Sequence, residues 1–186
     1  MSLKRTVAHL IGVLVLSTAL CRFCLAQAAI PDEFQVRAAI VVNLVRFVTW
    51  SPPKGNSHSP LVVGLLGYDQ QSAALETYLS THSIDGRQFQ IRKVGHGDKT
   101  DDFQIVYVAS SEQRHFEEIA EALARSGALT ISDDRAFAMT GGIVGLPVVG
   151  DRIEIQINLL RAQQSSLVIS SRLLGLARVI RKADAK

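Results

Sequence analysis

Apolar residues in this chain fall into short unbroken runs separated by longer amphipathic stretches. Leu61–Leu66 (LVVGLL) and Phe103–Ala109 (FQIVYVA) are evenly apolar, which predicts strands buried on both faces. Ala128–Ser132 (ALTIS) predicts another strand, and Phe89, Ile91 and Val94 mark a further one after the Asp85-Gly86 turn. Gln70–Ser80 and Glu112–Arg125 lie between these runs and read as helices. Gly67 and Asp69 lead into the first, Ser110-Ser111 are placed to cap the second, and Ser126-Gly127 end it. Lys54–Pro60 and Gly95–Asp101 are polar loops, and Asp133–Thr140 is a short helix or loop.

The ends of the chain are more apolar. Glu33–Thr49 carries Phe34, Ile40, Val41, Leu44, Val45, Phe47 and Val48 around more than half its circumference. Its β-branched residues favour a strand, but a strand rarely exceeds about 10 residues, so the length predicts a helix. Asp32 is placed to cap it and Trp50-Ser51-Pro52-Pro53 to stop it; Arg37 and Arg46 fall on opposite sides. Near the other end, Ile143–Val149 and Ile153–Ile157 flank Gly150-Asp151, the pattern of a β-hairpin. After a polar break, Arg161–Ser166, the apolar residues Leu167, Ile169, Leu173, Leu174, Leu176, Ala177 and Ile180 predict a packed helix over Leu167–Arg181. The fold class that follows is α/β. It is a single-domain mixed β-sheet of about five or six strands flanked by helices, with a C-terminal β-hairpin and a packed last helix.

The first residues belong to a different kind of segment. Lys4-Arg5 precede the apolar run Leu10–Leu20, and Ala26-Gln27-Ala28 offers a small-x-small cleavage site. Residues 1–28 therefore read as a secretory signal peptide, cleaved after Ala28 or Ala26, and residues 29–186 as the mature domain. Cleavage would remove Lys4, Arg5 and Arg22 from 20 basic residues, leaving 17 against 17 acidic ones. The basic character of the whole chain is then no argument for a nucleic-acid partner. Cys21 and Cys24 leave with the same segment, so the mature domain would have no thiol, disulfide or cysteine ligand.

No catalytic constellation is legible in what remains. Gly64, Gly67, Gly141, Gly142 and Gly145 do not fit a phosphate-binding glycine loop, and turns and a bulge account for them. His58, His82, His96 and His115 show no ligand spacing, so surface histidines and no metal site are expected. Ser110-Ser111 lack the nucleophile elbow, and Ser170-Ser171 read as packing serines. No cofactor motif occurs. Arg178, Arg181 and Lys182 suit a helix C-terminus. Arg46 and Arg172 stand among apolar neighbours and are the candidates for an anionic ligand. Leu146, Pro147 and Arg178 are candidates for a partner surface, being apolar groups beside charge.

Several segments, taken in order, resemble the YfiR-like family. They are Ala38-Ala39, Asn43 and Phe47–Trp50 in the opening segment, Ile84–Arg87, Ala128–Asp133, Gly141–Val144, Ile157-Asn158, and ISSRLLGLARV at Ile169–Val179. The resemblance implies a periplasmic α/β protein without catalytic activity. It implies a partner in the periplasmic region of an inner-membrane diguanylate cyclase or sensor kinase, an envelope lipoprotein as a second partner, and control of cyclic di-GMP and biofilm behaviour. A homodimer is a further expectation. Redox control through a disulfide does not carry over, and Val41 and Val42 replace aromatic residues of the family's opening motif. The alternative is a periplasmic sensor of a small ligand.

Overall fold

Strand Ile105–Val108 shows how the sheet is built: Ile105 and Tyr107 enter one core, Val106 and Val108 the other. Side chains alternate along a strand, so an unbroken apolar run serves two buried faces at once. The computed structural model describes residues 32–56 and 58–181; the expected signal peptide, both cysteines and Lys182 lie outside the described residues. In chain order the strands are β1 (Val48–Trp50), β2 (Leu61–Leu66), β3 (Ser83–Ile84), β4 (Arg87–Val94), β5 (Ile105–Val108), β6 (Leu129–Ser132), β7 (Val144–Gly145), β8 (Val148–Val149), β9 (Arg152–Ile153), β10 (Gln156–Asn158), β11 (Leu167–Ile169) and β12 (Arg178–Ile180). The helices are α1 (Glu33–Leu44), α2 (Gln70–Thr81), α3 (Gln113–Ser126), α4 (Leu159–Gln164) and α5 (Ser171–Leu174).

Eight strands join in the order β12-β10-β7-β6-β5-β2-β4-β3. The inner five, from β7 to β4, run parallel. β10 is antiparallel to β7 and parallel to β12, and β3 is antiparallel to β4, so the sheet is mixed as expected. From β2 the chain crosses through α2 to β4 on one side; from β5 it crosses through α3 to β6 on the other. Right-handed crossovers in opposite directions put their helices on opposite faces. Leu75 and Leu79 of α2 accordingly share a core with Ala38, Val41 and Leu44 of α1. Phe116, Ala120 and Leu123 of α3 pack in the other. The two connections diverge at the carboxyl ends of β2 and β5, the general place for ligands in open α/β sheets.

The middle of the chain follows its pattern closely, and the ends do not. The predicted helix Glu33–Thr49 stops at Leu44, tightens into a 3-10 turn over Val45–Phe47 and becomes β1. β1 pairs antiparallel with β11, a tertiary partner invisible to local periodicity. The predicted helix Leu167–Arg181 is a correction. It is β11, the single-turn helix α5 and β12, and the burial of Leu167 and Ile169 around exposed Val168 has the period of a strand. The "polar break" is largely helix α4, whose first turn is capped by Asn158 Oδ1 accepting from the Arg161 N–H at 2.9 Å. Ser170 is likewise a cap, not a mid-helix packing residue: its Oγ accepts from the Arg172 N–H. Asp69 caps α2 as expected, whereas Asp32 and Ser110-Ser111 make no side-chain cap bond.

The C-terminal hairpin forms, with a break in the middle. β7 pairs with β10 and β8 with β9, while Leu146-Pro147 interrupts the ladder. Gly142 is there for close packing, since a Cβ on it would lie 2.1 Å from the Phe137 ring. The Asp85-Gly86 turn joins β3 to β4 with both residues at positive φ, the geometry that favours Asp-Gly in a two-residue hairpin.

Candidate functional site

Buried Arg37, Gln71, Ser72 and Ser132 gather at the carboxyl edge of the parallel strands. On the α1 side Arg37 is almost fully buried, which the sequence did not single out. Its guanidinium donates to the Leu146 carbonyl at 3.1 Å, to the Gln71 side-chain oxygen, and to Glu33 at 2.7 Å. Gln71 in turn donates to the Phe34 carbonyl, so α1, α2 and the hairpin break are tied to one side chain. Nearby, the Tyr107 hydroxyl donates to Asp133 Oδ1 at 3.0 Å. Burial pushes the Asp133 carboxyl above its usual range, and burial with the neighbouring Asp133 charge pushes the Tyr107 phenol up. Both partners of every contact come from the chain itself, and the arrangement holds elements together.

On the α3 side of the same edge, the loop after β4 meets the start of α3. His96 Nε2 lies 2.7 Å from Glu112 Oε2, and the His96 and His115 rings meet edge to face at 5.7 Å. One donor atom from each of His96, Glu112 and His115 lies within 4.8 Å of the other two, the donor set of a metal site. Glu112 and His115 stand three residues apart across the 3-10 turn and first turn of α3, on one face. His96 comes from the Gly95–Asp98 turn, closed by the Gly95 N–H donating to Asp98 Oδ2 at 2.7 Å. Helical Glu-x-x-His spacing was the available signal; an H-x-x-x-H search passes over it.

The amino edge holds a cleft of about 640 Å3 lined by Trp50, Lys54, Val62, Asp101, Gln104 and Ser165, among others. Buried Gln104 stitches its floor, accepting from the Val62 N–H at 2.6 Å and donating to the Lys54 carbonyl at 3.0 Å. The Lys54 ammonium donates to the carbonyls of Phe103, at 2.7 Å, and Ser126. Burial lowers the Lys54 pKa to about 8, against the opposing pull of Asp101 and Asp102. Ser165 is buried, and its hydroxyl finds no hydrogen-bond partner among the described residues.

The residues expected from the sequence do not converge. Arg46 lies exposed at the end of the first helical segment, 3.5 Å from Asp85. Arg172 is exposed on α5, not held among apolar neighbours, and neither arginine lines the cleft. Arg178 is exposed on β12, 3.8 Å from Glu154. Leu146 and Pro147, expected at the surface, are buried. Leu146 is wholly enclosed, with its N–H donating to the Ser132 carbonyl and its own carbonyl taken by Arg37. The exposed large apolar side chains include Leu160, Val168 and Leu176, all in the C-terminal segment. Among the described residues, no helix is long and apolar enough to cross a membrane.

A search of curated proteins finds no match to this chain. The family model described as YfiR/HmsC-like matches residues 34–178, from the first turn of α1 to the start of β12.

Proposed function

The chain belongs to the YfiR/HmsC-like family, and on that membership we propose that it is a non-catalytic regulatory protein of the periplasm. It binds the periplasmic region of an inner-membrane diguanylate cyclase or sensor kinase and restrains it, so controlling cyclic di-GMP and biofilm behaviour. The single observation that carries this reading is the family match over almost the whole described chain. The expected signal peptide at residues 1–28 and the absence of a legible catalytic constellation are consistent with it. Restraint requires only that the protein bind one state of its partner better than the other.

The partner surface is better sought at Leu160, Val168 and Leu176, with Arg172 and Arg178 beside them in sequence, than at buried Leu146 and Pro147. Apolar side chains that water reaches and charged neighbours frame are the usual material of such contacts. Two measurements test the reading. Ala29–Lys186, used as bait on detergent-solubilised envelope, is expected to recover a membrane cyclase or sensor kinase. Deleting the gene is expected to raise cyclic di-GMP; an unchanged level in a strain that keeps the recovered enzyme would overturn the brake.

The amino-edge cleft favours a second reading, a periplasmic small-ligand sensor, because the buried Ser165 hydroxyl there is unpaired among the described residues. A ligand bound only by the folded state raises the unfolding temperature. Screening nucleotides and aromatic metabolites by thermal unfolding should give a shift that Ser165→Ala and Gln104→Ala reduce; no shift with any compound removes this reading.

A further inference from the structure

We propose that His96, Glu112 and His115 form a binding site for a divalent first-row transition metal ion, with zinc the best match to the donor set. Two imidazoles and one carboxylate are the ligands that zinc takes in three-ligand sites. Two residues come from the start of α3 and one from the turn after β4, so the fold and not a local run of sequence assembles them. The donors lie within 4.8 Å of one another. Around a tetrahedral ion with bonds of about 2.0–2.2 Å, donors stand roughly 3.4 Å apart. Small side-chain rotations bridge the difference, and exposed His96 and His115 are free to make them.

Two features of the surroundings favour an ion over a simple His–Glu contact. The first is location, since the cluster sits at the carboxyl edge where the connections after β2 and β5 diverge, the general place for ligands in such sheets. The second is how Glu112 is held. A Cβ on Gly67 would lie 2.5 Å from Glu112 Cγ and 3.1 Å from its Oε1, so the bare glycine backbone is what leaves room for the carboxylate. Gly67 has φ of +73°, which only glycine adopts readily. Three protein ligands leave a fourth position for water or for a donor from another molecule. The inference does not depend on the regulatory role proposed above.

The test uses Ala29–Lys186, which contains the compact unit from Asp32 onward and neither cysteine, with any affinity tag removed and metal stripped by chelator. Zinc chloride titrated calorimetrically should bind at one equivalent per chain and raise the unfolding temperature. Cobalt chloride should give the visible absorption of a four- or five-coordinate ion. H96Q, E112Q and H115Q should each weaken zinc binding by roughly tenfold or more, the loss expected when one ligand of a small set goes. H58Q and H82Q should bind as the unaltered chain does. All three ligand positions reach solvent, so the variants should unfold at the same temperature as the parent in chelator. Should one misfold, the cobalt spectrum of the parent decides alone. Absent saturable zinc binding up to about 1 mM, a weak limit for any functional site, the proposal fails. It also fails if the H96Q/H115Q double variant binds zinc like the parent.

Discussion

Two polar clusters share the carboxyl edge of this sheet, one around Arg37 and one around Glu112. Arg37 is sealed off from water, and its guanidinium meets Glu33, Gln71 and the Leu146 carbonyl. His96, Glu112 and His115 reach solvent, and one hydrogen bond and one ring contact are all that join them. A buried charge must be saturated by its own protein, because an unpaired one costs several kcal/mol. Saturation leaves nothing to offer a ligand. A group at the surface pays no such penalty and can keep donors in reserve. Charge and burial alone would point to Arg37 as the site; counting satisfied partners points to the other end of the same edge.

The comparison predicts opposite responses to substitution. The largest effect is expected for Arg37→Ala, which strands Gln71 and the Leu146 carbonyl. It should lower stability by about 3–5 kcal/mol in urea unfolding; a loss under about 1 kcal/mol would mean water or another group takes over. Tyr107→Phe removes the hydroxyl that donates to Asp133 and should cost about 1–2 kcal/mol. Asp133 refines the point. Its folded pKa is raised, so the folded state holds the proton more tightly than the unfolded one, and stability falls as pH rises through the acid range between the two values. Asp133→Asn should flatten that slope in stability measured against pH. Lys54 gives the reverse sign. Its folded pKa of about 8 lies below the ordinary lysine value, so its contribution to stability grows as pH rises above about 8. An NMR titration of the Lys54 ammonium should show a midpoint near 8; a midpoint near 10.5 would mean that the loop is open to water. The smallest effect is expected for His96→Gln without metal, within about 0.5 kcal/mol of the parent.

Much of the fold was legible because the inner strands are buried on both faces, and a run such as LVVGLL leaves few alternatives. The C-terminal segment was misread because its strands are three residues each, too short for a period to show. Leu173 and Leu174 between them supply apolar residues that complete a false helical stripe. The helix at Leu159–Gln164 was missed for the opposite reason, since only Ala162 of its residues is buried. For the sites, the same argument that marked Arg172 applies to Arg37, but telling the buried arginine from the exposed one needed the packing of α1 against α2. Glu112 and His115 could have been read together from helical spacing. His96 could not, because only the parallel pairing of β4 beside β2 brings its turn to the start of α3.

The β1–β11 ribbon bears on how the chain comes to be folded. Val48, near the beginning, has no strand partner until Ile169, near the end, is available. A chain that emerges amino end first can therefore form α1 early but must leave Trp50 and its neighbours unpaired until almost all of it has appeared. Contacts so distant in sequence slow folding, since a long loop must be closed before they give anything back. Whatever meets this chain as it emerges thus handles an unfinished molecule, open at the seam where β1 and β11 will join.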